Sequence, residues 1–163
     1  MKDMVKSRKK NFLDIFIILA IFSIDRITKS LMINYSNLHD GKNYFLTPFI
    51  NLELLWNDGI AFGLLSFQRG IYYNSMSLII IIITIIIFFV MIRSSGIQKY
   101  CFMMILGGSL GNLFDRLFYA SVPDFIDIHF NNFHWFIFNV ADIFITLGVL
   151  ILIYSEFNKK GNV

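Results

Sequence analysis

Residues 70–92 contain no charged side chain, and from Leu78 to Met91 they are almost entirely Ile, Phe and Val. This run constrains the fold more than any other stretch of the chain. Strands in globular proteins rarely exceed about ten residues, so an uninterrupted apolar run of this length predicts a helix. A helix of about 20 residues reaches about 30 Å, the thickness of a bilayer's hydrocarbon core. A helix that is apolar on every face has no polar side to turn to water, so the expected surroundings are lipid.

Composition extends this expectation to the whole chain. Hydrophobic residues make up 56% of the 163 and charged ones 15%, against about 45–50% and 25% in soluble domains. The excess sits in blocks. They predict spans over about 12–32, 70–92, 100–118 and 135–157 within one domain, 1–163. The first block follows a Lys-rich start, as in a signal peptide. It ends in Ser23-Ile24-Asp25-Arg26 rather than small residues at a cleavage site, which predicts a retained span. Segments 33–69 and 119–134 are expected outside the bilayer. From Phe49 to Trp56, Asn51 and Glu53 alternate with apolar residues, the period of a half-exposed strand. The expected fold class is an all-α membrane bundle of four helices with a small β-structured lobe on the extracytoplasmic side.

Nine of the fourteen basic residues are Lys2, Lys6, Arg8, Lys9, Lys10, Arg93, Lys99, Lys159 and Lys160, in the two tails and one short loop. The positive-inside rule therefore puts both termini in the cytoplasm, as an even number of spans requires. These bases form no aromatic-interleaved face, so nucleic acid is not an expected partner. The lone Cys101 gives no disulfide or metal framework and reads as a small buried hydrophobe. No small-residue face stands out beyond Gly107 and Gly111, so a monomer is expected.

The polar residues of the spans gather at their outer ends, in five clusters. Asp25 and Lys29 lie four apart on one helix face, in the favourable acid-first order. Asn57-Asp58-Gly59 is a turn signal beside the small residues Ala61 and Gly63. In the third cluster, Gly107 and Gly111 form a small-xxx-small face. Asn112, Asp115 and Arg116 share another face, which must look into the bundle or a wet cavity. Val122-Pro123-Asp124-Phe125 and Phe138-Asn139-Val140-Ala141-Asp142 complete the set. Read as seven residues into the fourth span, Asp142 lies about 10 Å deep, with Asn139 one turn above it. A buried carboxylate there needs a partner. Two readings are open: an ion pair with Arg116 or Lys29, or a second carboxylate, Asp124, brought to the mouth of the bundle by its loop. Two close carboxylates share a proton, and such a pair can activate water against an amide. His39, His129 and His134 form no metal-ligand spacing, the serines have no evident histidine base, and no Gly-rich phosphate loop precedes a Lys.

Together these blocks resemble one family, the lipoprotein signal peptidases, or signal peptidase II. They are, in order, Asp25-x-x-Thr28-Lys29, Asn57-x-Gly59-x-Ala61-Phe62, Gly108-x-x-Gly111-Asn112-x-x-Asp115-Arg116, Val122-x-Asp124-Phe125 and Phe138-Asn139-x-Ala141-Asp142. Each is weakly specific alone; five in order over nearly the whole chain are strongly so. The resemblance implies an intramembrane aspartyl endopeptidase of the bacterial inner membrane. It would cut diacylglyceryl-modified prolipoproteins just before the lipidated cysteine, near the outer leaflet, in contact with membrane lipid. It implies Asp124 and Asp142 as the catalytic dyad. Asn57, Asn112, Arg116 and Asn139 would line the site and hold substrate, and Asp25, Lys29, Gly108, Asp115 and Ala141 would support it. No metal or organic cofactor is expected. The chain departs from the family pattern at Ala120, often Gly, at Phe136, often Pro, and at Pro123, commonly apolar; two of the three fall at the segment carrying Asp124. A small ion-coupled transporter is the main rival reading, but it calls for polar residues through the full bilayer depth. A non-catalytic scaffold leaves the two carboxylates unexplained.

Overall fold

The computed structural model describes residues 2–59, 71–131 and 133–160. Ala61, Phe62, Gly63 and Gly70 lie outside the described residues. In chain order the elements are α1 (Lys2–Leu38), β1 (Tyr44–Thr47), β2 (Ile50–Asn57), α2 (Ile71–Arg93), α3 (Gly96–Tyr119), β3 (Val122–Phe130), β4 (Phe133–Phe138) and α4 (Val140–Lys160). The protein is mostly helical, with one antiparallel sheet in the order β1-β2-β3-β4.

α3 touches each of the other three helices and organises the bundle. Two of its glycines allow this. A Cβ at Gly108 would strike the carbonyl oxygen of Ala141 on α4, and one at Gly111 would strike the Asp25 carboxylate on α1. Met91, Met103 and Leu106 form the buried apolar centre, with Ile17, Ile18 and Ile87 packed around it. Cys101 is buried and free, as its surroundings in the sequence suggested. At the end of the bundle away from the sheet, Lys99 pairs with Asp14, and Gln98 donates to Glu156, fastening α3 to α1 and α4.

Two helices are long and apolar enough to cross a membrane: Tyr73–Arg93 and Val140–Asn158. Only 22% and 17% of their most apolar windows is buried within the protein. Their remaining apolar surface needs a non-aqueous neighbour. α1 and α3 spend part of their surface on charged residues turned toward each other, described below.

The sheet is larger than the sequence suggested. Phe49–Trp56 is a strand, nearly as expected, but residues 122–130 and 133–138 supply two more. The fourth helix accordingly begins at Val140 rather than Trp135. Trp135 to Phe138 resemble the start of a span because they are aromatic and apolar. They are instead hydrogen-bonded along β3, with Phe133, Trp135 and Phe136 exposed. Asp142 therefore sits in the first turn of α4, not two turns down. Asp124 is likewise on a strand, not a loop. Pro123 is tolerated because it is the second residue of β3, ahead of the first pairing with β4 at Ile126↔Phe138.

Candidate active site

Asp124 and Asp142 come together where the sheet meets the bundle. β3 begins directly after α3, which ends with Ala120 in the left-handed region at φ 56°. β3 then runs antiparallel to β2 with Asp124 opposite Leu55. The register slips by one residue between Leu52 and Leu55, a bulge beside Asp124 of the kind that re-aims a side chain. Asn57 shares a strand face with Leu55 and so is the diagonal neighbour of Asp124. Its amide nitrogen donates to Asp124 Oδ2 at 2.8 Å, while its oxygen accepts from the Gly59 N–H at 2.8 Å.

Asn139, the single residue between β4 and α4, links the two acids. Its amide nitrogen donates to Asp124 Oδ1 at 2.6 Å. Its Oδ1 accepts from the Asp142 N–H at 3.1 Å, and Asp142 Oδ2 accepts from the Asn139 N–H at 3.2 Å. These reciprocal bonds are a capping box at the start of α4. Asp142 thus serves as a helix cap and is held by the same residue as Asp124, through its backbone N–H rather than its side-chain amide. Its other oxygen, Oδ1, accepts from Asn112 Nδ2 at 2.8 Å. Asn112 is polarised in turn by Lys29, whose Nζ donates to Asn112 Oδ1 at 2.8 Å.

Both carboxylates are buried, and each accepts two hydrogen bonds from amide N–H groups. Neither is paired with a cation in the way the ion-pair reading required. Lys29 instead bridges Asp25 at 3.0 Å and Asp115 at 2.7 Å. Burial, followed by the nearby charge of Asp142, raises the Asp124 carboxyl from 3.8 to about 6. The bonds from Asn57 and Asn139 and the charge of Lys29 pull the other way.

Below the acids lies a buried ion cluster of α1 and α3. Arg26 holds Asp115 with two bonds, at 2.5 and 2.7 Å, and lies 4.9 Å over the Phe114 ring. It also reaches Asp25 at 3.0 Å. Asp25 Oδ1 accepts the Ala141 N–H at 3.0 Å, so a carboxylate from α1 caps the first turn of α4. Asp25, Lys29, Gly108, Asp115 and Ala141 all fall in this supporting layer. Arg26 belongs with them. Its only sequence cue was its place beside Asp25, since its partner is on another helix.

Arg116 leaves this cluster and points toward the β2 end. Its Nη2 donates to the Gly59 carbonyl at 2.6 Å, and the Arg116 backbone carbonyl accepts from the Tyr73 hydroxyl at 3.2 Å. Its buried Nε and Nη1 have no partner among the described residues. An apolar cavity of about 310 Å³ has Asp142, Ile128, Phe138, Ile143 and Thr146 on its walls. A larger one, about 560 Å³, lies away from the acids between α1 and the sheet, against Leu31, Tyr35, Leu52 and Phe125.

One grouping escaped the sequence. His129 and His134, whose spacing matches no common ligand motif, are cross-strand partners beside Asp127.

The chain is also similar to known proteins. Residues 17–158 match the family model of signal peptidase (SPase) II. A lipoprotein signal peptidase of Pelagibacter ubique (strain HTCC1062) is 49% identical over 163 residues, covering 98% of each chain. One from Francisella tularensis subsp. novicida (strain U112) is 41% identical over 89% of this chain and 93% of its own. A bacterial membrane enzyme solved in meso at 2.3 Å superposes with a TM-score of 0.72 at 27% identity, covering 92% of this chain and 90% of that one. The family match spans most of the sequence and the identity runs almost end to end, so the chain belongs to the signal peptidase II family.

Proposed function

We infer that this protein is an aspartic endopeptidase of the bacterial membrane. It removes the signal peptide from diacylglyceryl-modified prolipoproteins by cutting before the lipidated cysteine. Family membership and the relatives' shared designation, lipoprotein signal peptidase, carry the substrate class. The observation that carries the chemistry is Asn139, whose amide binds Asp124 while its backbone and side chain bind Asp142. Two buried acids tied to one residue suit a shared proton. The ionised one accepts a proton from water as the oxygen attacks the peptide carbonyl. The protonated one hydrogen-bonds the carbonyl oxygen and then passes its proton to the leaving nitrogen. The value of about 6 brings the proton affinity of Asp124 closer to neutrality than an ordinary aspartate's, which suits a pair that exchanges one proton. The free donors of Arg116 are suited to substrate carbonyls, and the apolar cavity beside Asp142 to an apolar segment of the substrate. Asn57 and Asn112 have their amide nitrogens committed to the acids, so their role in this reading is to hold the dyad.

In this reading all four helices cross the membrane as one domain, both termini lie in the cytoplasm, and the sheet rests at the outer leaflet. The ion cluster between α1 and α3 explains why those two helices are less apolar: their charges neutralise one another inside the bundle. The transporter and scaffold readings gain nothing from the relatives. The test uses purified protein in detergent with a diacylglyceryl-modified prolipoprotein. Asp124→Asn and Asp142→Asn should each abolish cleavage while keeping wild-type helical content and a cooperative thermal unfolding transition. Wild-type turnover by either variant would refute the dyad.

A further inference from the structure

We propose that Asp127, His129 and His134 form a binding site on the β3–β4 hairpin for a divalent transition metal of the zinc class. His129 and His134 face each other across the ladder, their rings stacked with centroids 5.1 Å apart. Asp127 precedes His129 by two residues on the same strand and is buried. One donor atom from each of the three lies within 4.8 Å of the others. Nδ1 of His134 is 2.8 Å, and Nδ1 of His129 3.6 Å, from the same oxygen, Asp127 Oδ2.

A simple Asp–His pair accounts for His134 alone. It leaves His129 Nδ1 and Asp127 Oδ1 buried with no hydrogen-bond partner among the described residues. Such orphans are costly, and a cation between the three groups would satisfy both. Imidazole nitrogen and carboxylate oxygen are the donors zinc takes, at about 2.0–2.2 Å, and a tetrahedral site spaces them about 3.3 Å apart. Reaching that spacing requires the His134 ring to turn, and its side chain is 56% exposed. The same exposure leaves room for water as the fourth ligand. The site is separate from the acids: Asp127 pairs with Asn51 on β2 and Ile137 on β4, and it lies three residues beyond Asp124 on β3, so the two side chains leave opposite faces of the strand. An ion here would tie β3 to β4, the strands that carry Asp124 and lead into Asn139.

The test is made on the full-length protein in detergent after chelator treatment. Zn²⁺ alone is titrated in competition with a chromogenic chelator, and Co²⁺ alone is followed by its visible absorption. One ion per chain should bind, with nitrogen ligation in the Co²⁺ spectrum. His129→Gln and His134→Gln should each weaken binding at least about tenfold, equivalent to about 1.4 kcal/mol. His39→Gln, which removes the third histidine, and Asp124→Asn should leave affinity unchanged. His134 is exposed, so its variant should fold, which thermal unfolding without metal would check. Absence of saturable binding at one ion per chain overturns the proposal. So does undiminished binding by His134→Gln, or binding lost in His39→Gln.

Discussion

Asn139 offers the sharpest test of how the site works, because two roles for it predict opposite kinetics. As a substrate-binding residue, its loss would raise KM. As the tie between the two acids, its loss would lower kcat. Asn139→Ala removes a 2.6 Å bond to the buried Asp124 carboxylate and the side-chain cap on the Asp142 N–H. A hydrogen bond to a charged group contributes about 1.5–3 kcal/mol. If that bond positions Asp124 in the transition state, kcat falls by about 10–150-fold. The cap is worth about 1 kcal/mol of stability. Asn139→Ser separates the two effects, because serine can supply the capping oxygen but cannot replace the amide donor to Asp124. Serine should restore most of the unfolding free energy lost in the alanine variant, yet leave kcat depressed. Steady-state cleavage of a lipidated prolipoprotein and denaturant unfolding in one detergent measure both. An alanine variant with wild-type kcat and a raised KM would refute the positioning role and return Asn139 to substrate contact.

Three further outcomes follow from the geometry. The Asp124 carboxyl, raised to about 6, holds a proton that an unfolded aspartate releases near 3.9. The resulting stability is fully present below about pH 4 and is lost as pH rises through about 6, about 3 kcal/mol in all. Unfolding measured from about pH 4 to 7 should show this slope in the wild type and lose it in Asp124→Asn. Asp115→Asn deprives the half-buried Arg26 and the buried Lys29 of their shared partner and should cost about 3–5 kcal/mol, read by thermal unfolding, with the loss of activity tracking the unfolded fraction. Ala120→Gly relieves a left-handed alanine at the end of α3 and should stabilise the protein by about 1 kcal/mol, read as a raised Tm.

How much of this was legible in the sequence depended on whether a signal was local. The Leu78–Met91 run announces α2 because no neighbour is needed to interpret it. Asp25 and Lys29 pair because four residues is one helical turn. The Phe49–Trp56 alternation marks β2 because that strand has two unlike faces. β4 gave no such signal: Phe133, Trp135 and Phe136 are exposed on both faces, so period two is absent and the segment reads as the start of a helix. That misreading put Asp142 too deep. The segment carrying Asp124 was expected to be a loop, yet it is a strand, and Pro123 is accepted there because the start of β3 has no β4 partner. The bonds to the acids were the least legible. Asn57 meets Asp124 through the β2–β3 register and Asn112 meets Asp142 through α3–α4 packing, and neither is encoded by spacing along the chain. For the same reason the histidines of β3 and β4 showed no grouping until the ladder aligned them.

The ion cluster bears on how the protein is assembled. Asp25, Arg26 and Lys29 all come from α1, while the acid that balances their excess positive charge, Asp115, arrives on α3, two helices later in synthesis. Each charge at membrane depth costs about 2.5–3.5 kcal/mol on insertion scales. If α1 spans the bilayer as proposed above, on its own it would be poorly settled there, drawn toward the headgroups by an unbalanced cation. Docking of α3 would remove that penalty and bring Asn112 to Lys29 in the same movement. On that proposal, insertion of the first helix and construction of the proposed hydrolytic centre become one cooperative event, and a half-made chain is left without a stable resting place in the bilayer.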